Sequence, residues 1–483
     1  MTFFHSSQPK ESARIRQLLL PAAMSQADAA SPSGAARVPY DILELIVCLA
    51  PETALPNLCL VSHDLDALAV RLLYRDLHFD SSSVKHAVQC LQSIRSSPHL
   101  GRLVWSLKLD YRLHQFPYPT EAPALVASTL RCTPNLRRLD IAHLAQLIAL
   151  SRGFADTIAH LDHLSDLNVA WGPVLDPLLC RIGPLKRLEF DVGSGVLDEN
   201  NDALEHLLRV SVYSLEELRL TGYKLAAYLS QHPDLIFERV TSLELHYCEP
   251  LGLEIARAFP SCRRVQFFPV PFTPPELLSD PANFPLLEHA EAGVDEYGYA
   301  PPRHAKLRPM PHITLYNSSH IISEAAIMSA MACIEPDSVV SFQMQSLETP
   351  NILSTLEKGL RVCTRLQFLC ISIKVDAEGT QLREMVCMLL RAAPATLRFV
   401  SISCATKKTT RAVIEQLADL VAGYADALLA RIPSLRLIEL RSGTFSGEHM
   451  VHLKLEKWDG GALRWFRVCG QDLKPPAEFA FRR

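Results

Sequence analysis

Leu136-Arg137-Arg138-Leu139-Asp140-Ile141 is the stretch on which the reading of the fold turns. Its apolar residues stand at the first, fourth and sixth places, and the last two alternate with polar neighbours as in a strand buried on one side. The same hexad returns as Leu164/Leu167/Val169, Leu185/Leu188/Phe190, Leu215/Leu218/Leu220, Val240/Leu243/Leu245 and Cys262/Val265/Phe267. After a gap it resumes as Val339/Phe342/Met344, Leu366/Leu369/Ile371, Leu397/Val400/Ile402, Leu435/Ile438/Leu440 and Met450/Leu453/Leu455, and Leu103/Leu107/Leu109 is a looser upstream copy.

One hexad fits any buried strand, but about a dozen in series, spaced about 15 to 38 residues apart outside the gap, mark a leucine-rich-repeat array. Helical patterns such as Ala203 to Arg209, Leu253 to Phe259 and Arg383 to Arg391 lie between hexads, giving one strand and one helix per unit. The expected fold is α/β: a curved solenoid with parallel strands inside and helices outside, each unit burying Leu against its neighbours. The 483 residues alone would suggest about three domains, yet such an array makes residues 78–470 one continuous domain. Within it, residues from about 269 to 338 read as irregular, a long insertion or a run of degenerate repeats, with Pro269, Pro271, Pro274, Pro275, Pro301, Pro302 and Pro311, and with Leu287/Ala290/Ala292 as a poor hexad. Residues 471–483 read as a C-terminal tail.

Strand alternation sends the residue before each central apolar position to the opposite face. The resulting row is Ser106, Arg138, Asp166, Arg187, Glu217, Ser242, Arg264, His289, Ser341, Phe368, Phe399, Leu437 and His452. Its charged first half reads as a solvated, ion-paired face. Phe368, Phe399 and Leu437 fall in consecutive units, and an exposed apolar trio there is the candidate target-binding patch.

Lys and Arg number 48 against 52 Asp and Glu, so the net charge is −4, which argues against a nucleic-acid-binding surface. The 13 cysteines are scattered and contain no Cys-x-x-Cys pair, as expected of reduced core thiols in a cytoplasmic or nuclear protein. No apolar run approaches the roughly 18 to 20 residues that span a bilayer, so no membrane partner is expected. Residues 1–37, Ala/Ser/Pro-rich with Lys10, Arg14 and Arg16, read as a disordered leader. The phosphate-cradling glycine loops and the Gly-x-Ser-x-Gly elbow are absent, and His160 and His163 lack further ligands. No catalytic, cofactor-binding or metal-binding residue is therefore expected.

Ahead of the array, Val38-Pro39-Tyr40-Asp41 opens a helix: Pro39 suits a first turn, Asp41 suits the positive end, and Ile42, Leu43, Leu45, Ile46 and Leu49 follow at helical spacing. Pro51 and Pro56 punctuate the connection, and Leu58, Leu60, Val61, Leu65, Leu68, Ala69, Leu72 and Leu73 continue as two helices separated near Ser62. About 40 residues hold too little core to stand securely alone, so this module, residues 38–77, must lean on a neighbour or a partner.

Val-Pro-Tyr-Asp-Ile-Leu-Glu-Leu-Ile, then Leu58-Cys59-Leu60-Val61-Ser62-His63, Leu68-Ala69 and Leu72-Leu73-Tyr74-Arg75, resembles an F-box in order and spacing. The family opens on Leu-Pro-x-Glu, has a central Val-Ser and, in many fungal members, ends on Leu-Leu-Tyr-Arg. Here Val38 replaces the opening Leu, Asp41 the Glu, and Leu65 a frequent Trp, exchanges that reshape pockets without burying a charge. With the array behind it, the chain is similar to the F-box and leucine-rich-repeat family. That resemblance implies the substrate-recognition subunit of a Skp–cullin–F-box ubiquitin ligase. It would be non-catalytic, docking a Skp-family adaptor, and through it a cullin, while the solenoid holds an unidentified target protein. The resemblance assigns adaptor contact to Val38, Pro39, Ile42, Leu43, Ile46, Leu58, Val61 and Ser62. The alternative is a leucine-rich-repeat scaffold outside any ligase, its helical segment serving only as an end cap.

Overall fold

A computed structural model describes residues 38–51, 54–80, 83–110, 121–192, 202–248, 252–268, 277, 280, 282–293, 312–316, 339–347, 351–374, 380–405, 411–442, 449–457 and 463–469. The proposed leader and C-terminal tail, and most of the segment from 269 to 338, lie outside the described residues.

The first ordered element, α1 (Tyr40–Leu49), starts where the Pro39 carbonyl accepts from the amides of Ile42 and Leu43, each at 3.1 Å. Pro39 thus caps the helix rather than entering its first turn. The chain turns extended at Ala50 ahead of Pro51, since the residue before a proline avoids helical backbone. A single turn, α2 (Leu55–Leu58), leads to α3 (His63–Arg75). There the Ser62 hydroxyl accepts from the Leu65 amide at 3.2 Å, with Asp64 and Asp66 in the first turn and Arg75 in the last, as the helix dipole favours. Val47, Leu55, Leu65, Leu68 and Ala69 form a small core of their own, backed by Leu43, Leu58, Leu72 and Leu73. The helices end at Arg75, and residues 76–77 already belong to the first strand.

Among the described residues sixteen strands then form one sheet whose spatial order is their sequence order. They are β1 (Asp76–Asp80), β2 (Ser106–Asp110), β3 (Arg138–Ile141), β4 (Asp166–Ala170), β5 (Arg187–Asp191), β6 (Glu217–Thr221), β7 (Ser242–His246) and β8 (Arg264–Phe268). The order continues with β9 (His289–Gly293), β10 (His312–Tyr316), β11 (Ser341–Leu347), β12 (Phe368–Lys374), β13 (Phe399–Ala405), β14 (Leu437–Ser442), β15 (His449–Lys457) and β16 (Leu463–Cys469). The architecture is mixed α/β, parallel from β1 to β14, and the strand order is linear, with no pairing of β1 to β16.

Helices connect the parallel strands. Among them are α4 (Val84–Ser96), α5 (Ala122–Arg131), α6 (Asp202–Ser211), α7 (Asn351–Val362), α8 (Thr380–Ala392) and α9 (Ala425–Arg431). All three apolar positions of the hexad point to them: Leu136, Leu139 and Ile141 are 0, 0 and 2 % exposed. Between them the side chains alternate to the other face, so β5 buries Leu188 and Phe190 and leaves Arg187 and Asp191 outside. The buried residues make a second, continuous cluster that begins at Leu77.

The segment read as irregular holds two strands in register, β9 and β10, with Ala290 buried although Ala is a poor hexad residue, as degenerate repeats would. Two expectations need correction. β1 is a further strand, and its Leu77 and Phe79 belong to the sheet rather than to the helical module. The Met450/Leu453/Leu455 hexad is not another parallel unit: β15 runs antiparallel to β14 and β16 antiparallel to β15. Only residues 443–448 separate β14 from β15, and a parallel crossover takes a dozen residues or more. His452 therefore pairs with Glu439 instead of continuing the row beyond Leu437.

The thiols are also less uniform than expected. Cys248, Cys262 and Cys363 are buried, whereas Cys48 and Cys180 are exposed. Burial pushes the Cys90 and Cys262 thiols up to about 12 and Cys248 to about 11. With maleimide near neutral pH, Cys48 and Cys180 will label first, Cys248 on the order of a hundredfold more slowly, and Cys90 and Cys262 on the order of a thousandfold more slowly. Peptide mapping of the alkylated chain checks the order, and early labelling of Cys262 would contradict its burial between sheet and helices.

Candidate functional site

Helix α1 turns the wrong face outward for a core helix. Ile42, Leu45, Ile46 and Leu49 stand at i, i+3, i+4 and i+7, the spacing that ordinarily faces a core, yet they are 42, 55, 46 and 75 % exposed. Of this helix only Val47 is buried. Val38 and Tyr40 extend the stripe at its start, and Leu60 and Val61, in the turn before α3, are also exposed. Each such side chain would contribute about 1.5–3 kcal/mol if a partner covered it fully. An apolar patch of this kind beside a polar surface marks a contact site.

Of the eight residues singled out for adaptor contact, Val38, Pro39, Ile42, Ile46, Val61 and Ser62 are exposed. Ser62 also caps α3 through its hydroxyl. Leu43 and Leu58 are half-buried against the module's own core and serve chiefly to hold it together. Sequence reasoning missed Tyr40, Leu45, Leu49 and Leu60 as surface residues, although the helical spacing of Leu45 and Leu49 with Ile42 and Ile46 already put them on one side of α1.

The face of the sheet opposite the hexad residues is the second surface. Strand pairing joins Ser106, Arg138, Asp166, Arg187, Glu217, Ser242, Arg264 and His289 into one row, which continues through His312 to Ser341, Phe368, Phe399 and Leu437. In its first half, charges neutralise one another across strands. Arg187 bridges Asp166 at 3.7 Å and Glu217 at 3.4 Å. In the next outward row, Arg219 bridges Glu189 and Glu244, each at 3.3 Å, and Lys108 reaches Asp140 at 3.4 Å. Burial holds the Glu189 carboxyl above the ordinary glutamate value against the pull of Arg219. At Glu244 burial acts the same way but is outweighed by the His246 hydrogen bond and the Arg219 charge, and the carboxyl titrates low. These pairs set register and surface charge, and each exposed one is worth about 0.2–1 kcal/mol.

The candidate target-binding trio does not form a solvated patch. Its rows are as expected, but Phe399 is 2 % and Leu437 5 % exposed, and Phe368 is half-buried with its ring centroid 6.5 Å from that of Phe399. One row further along, Ser401 donates to Glu439 at 2.8 Å, and both are buried. This part of the outward face is packed, so its residues act first as structure.

No protein-family model matches this chain, and no curated protein is significantly similar to it.

Among the described residues no three His, Cys, Asp or Glu side chains are grouped to hold a metal ion. Nor is any described helix long and apolar enough to cross a membrane. A cleft of about 330 Å³ separates the module from the sheet, lined by Val47, Leu68 and Leu72 on one side and Arg102, Leu103 and Trp105 on the other. The Arg75 and Arg137 guanidiniums stack over the Trp105 ring at 4.9 and 4.5 Å, tying α3 to the first strands of the sheet. The arrangement can present an apolar helix to another protein.

Proposed function

We propose that the chain is a non-catalytic receptor subunit of a Skp–cullin–F-box ubiquitin ligase, built from an F-box module and a curved leucine-rich-repeat solenoid. In this reading α1 and the turn at Leu60 and Val61 dock a Skp-family adaptor, the adaptor brings a cullin, and the long sheet with its helices holds a target protein. The chain then contributes proximity and selection, and the bond-making residues belong to other subunits.

One observation carries the reading. A three-helix module that has its own five-residue core also exposes a complete i, i+3, i+4, i+7 apolar stripe. An end cap for the array would turn that stripe towards the array, where its burial is worth most. The F-box resemblance of residues 38–75 names the partner such a stripe would meet.

The test is co-purification of the full chain with a Skp-family adaptor and a cullin, compared with a chain lacking residues 38–77. Adaptor retained by the full chain alone is the expected result. A folded full chain that captures neither adaptor nor cullin overturns the reading and leaves a scaffold without a ligase.

A further inference from the structure

Each helix of the array ends, and each strand begins, along the same edge of the sheet. In the last three parallel units that edge is crowded with arginine. Arg361, Arg391 and Arg431 close α7, α8 and α9, and they wall a cleft of about 410 Å³ floored by Ala392, Ala393 and Pro394. A cation at each helix C-terminus complements the dipole and accounts for these three.

It does not account for Arg365, Arg398 and Arg436, which stand in the turns. The Arg436 amide donates to the Arg398 carbonyl at 2.8 Å, so the two backbones lie one strand spacing apart, and the Arg436 guanidinium donates to the carbonyls of Pro433 at 3.1 Å and Leu435 at 3.2 Å. Against six exposed guanidiniums the described residues set one paired carboxylate, Glu357, which reaches Arg361 at 2.6 Å and Arg391 at 2.7 Å. Among the described residues Arg365, Arg398 and Arg431 meet no carboxylate.

Earlier along the same edge several cations do meet carboxylates, with Lys186 to Glu216 at 3.4 Å, Arg239 to Glu216 at 3.5 Å and Arg263 to Glu288 at 2.9 Å. The last three units thus carry an excess of cations along this edge, in a chain whose net charge is −4. Uncompensated like charges repel, and an anion laid across them removes that repulsion while accepting forked hydrogen bonds.

We infer that this arginine edge binds an extended acidic peptide segment of a partner protein. A peptide fits better than a nucleic acid because the cleft is lined by arginine, alanine, proline, leucine and threonine, with no aromatic ring on which a base could stack. The anionic groups can be carboxylates or phosphates, which share the same guanidinium chemistry. The inference goes beyond adaptor docking and is independent of it, since its assay contains neither adaptor nor cullin.

The purified full chain is titrated into a fluorescein-labelled Glu-Ala repeat peptide, and anisotropy is read from about 50 to about 200 mM salt. Binding that weakens with salt is expected, with a Gln-Ala peptide at least about tenfold weaker. Arg398→Glu, Arg431→Glu and Arg436→Glu together should weaken the Glu-Ala peptide about tenfold or more, with circular dichroism unchanged. Arg95→Glu, Arg131→Glu and Arg138→Glu together, exposed and remote, change the net charge equally and should leave binding within about twofold. A phosphoserine version that binds more tightly identifies phosphate as the favoured group, and equal binding identifies carboxylate, both in support. The inference is overturned if the Gln-Ala peptide binds equally, if the first triple variant binds like the native chain, if the remote triple loses as much, or if an oligothymidine binds more tightly than any peptide.

Discussion

If α1 docks an adaptor as proposed, Ile46→Asp is expected to remove that capture and leave the chain folded. Ile46 is 46 % exposed, so in the free protein the new carboxylate keeps its water and the small core around Val47 and Leu68 is untouched. On docking, that carboxylate would lose its hydration against an apolar surface with no cation to meet it, a penalty of about 3 kcal/mol or more. Adaptor affinity should therefore fall at least about a hundredfold, read by calorimetric titration of purified adaptor, while the thermal midpoint stays within a degree or two of native. Ile46→Leu, which keeps the apolar surface, should retain binding. Affinity unchanged by Ile46→Asp would remove α1 from the docking face.

The second large effect lies at the other end of the molecule. Phe399→Ala should destabilise the chain by about 3–5 kcal/mol, because the ring is 2 % exposed and fills the row between Phe368 and Leu437. Strands in such an array lean only on their neighbours, so the loss should appear as earlier melting of β12 to β14, with hydrogen exchange there accelerated and exchange in β3 to β6 little changed. Adaptor capture by this variant should remain, because the module's core is separate. A Phe399→Ala chain as stable as native would show the ring to be dispensable and reopen it as a contact residue.

How much of this is legible in the sequence differs between elements for physical reasons. The hexad around Leu136 gives both the strand and its facing, because a period of two fixes which side chains share a face, and the row from Ser106 to Leu437 pairs in that register. β10 is hidden because its own hexad, Met310, Ile313 and Leu315, sits among prolines that are usually read as breakers. β15 shows the hexad without the parallel pairing, and the clue is the length of its connection rather than its pattern. Phe399 marks a different boundary. Alternation tells which face a residue takes, but whether that face meets water or another part of the chain depends on contacts distant in sequence. The same holds in reverse for α1, whose spacing announces a face while only the packing of α3 and the sheet decides that it stays uncovered.

A linear strand order also bears on how the molecule is made. When a strand leaves the ribosome, the strand before it has already emerged to pair with it, because among the described strands every pairing joins neighbours in chain order, including the two antiparallel pairings of β15. An exposed edge waits only for the next unit to be synthesised, whereas the first strand of a doubly wound sheet often waits for several. Closure distances stay short throughout, so a protein of 483 residues can grow by accretion, each new unit templated on the finished edge behind it.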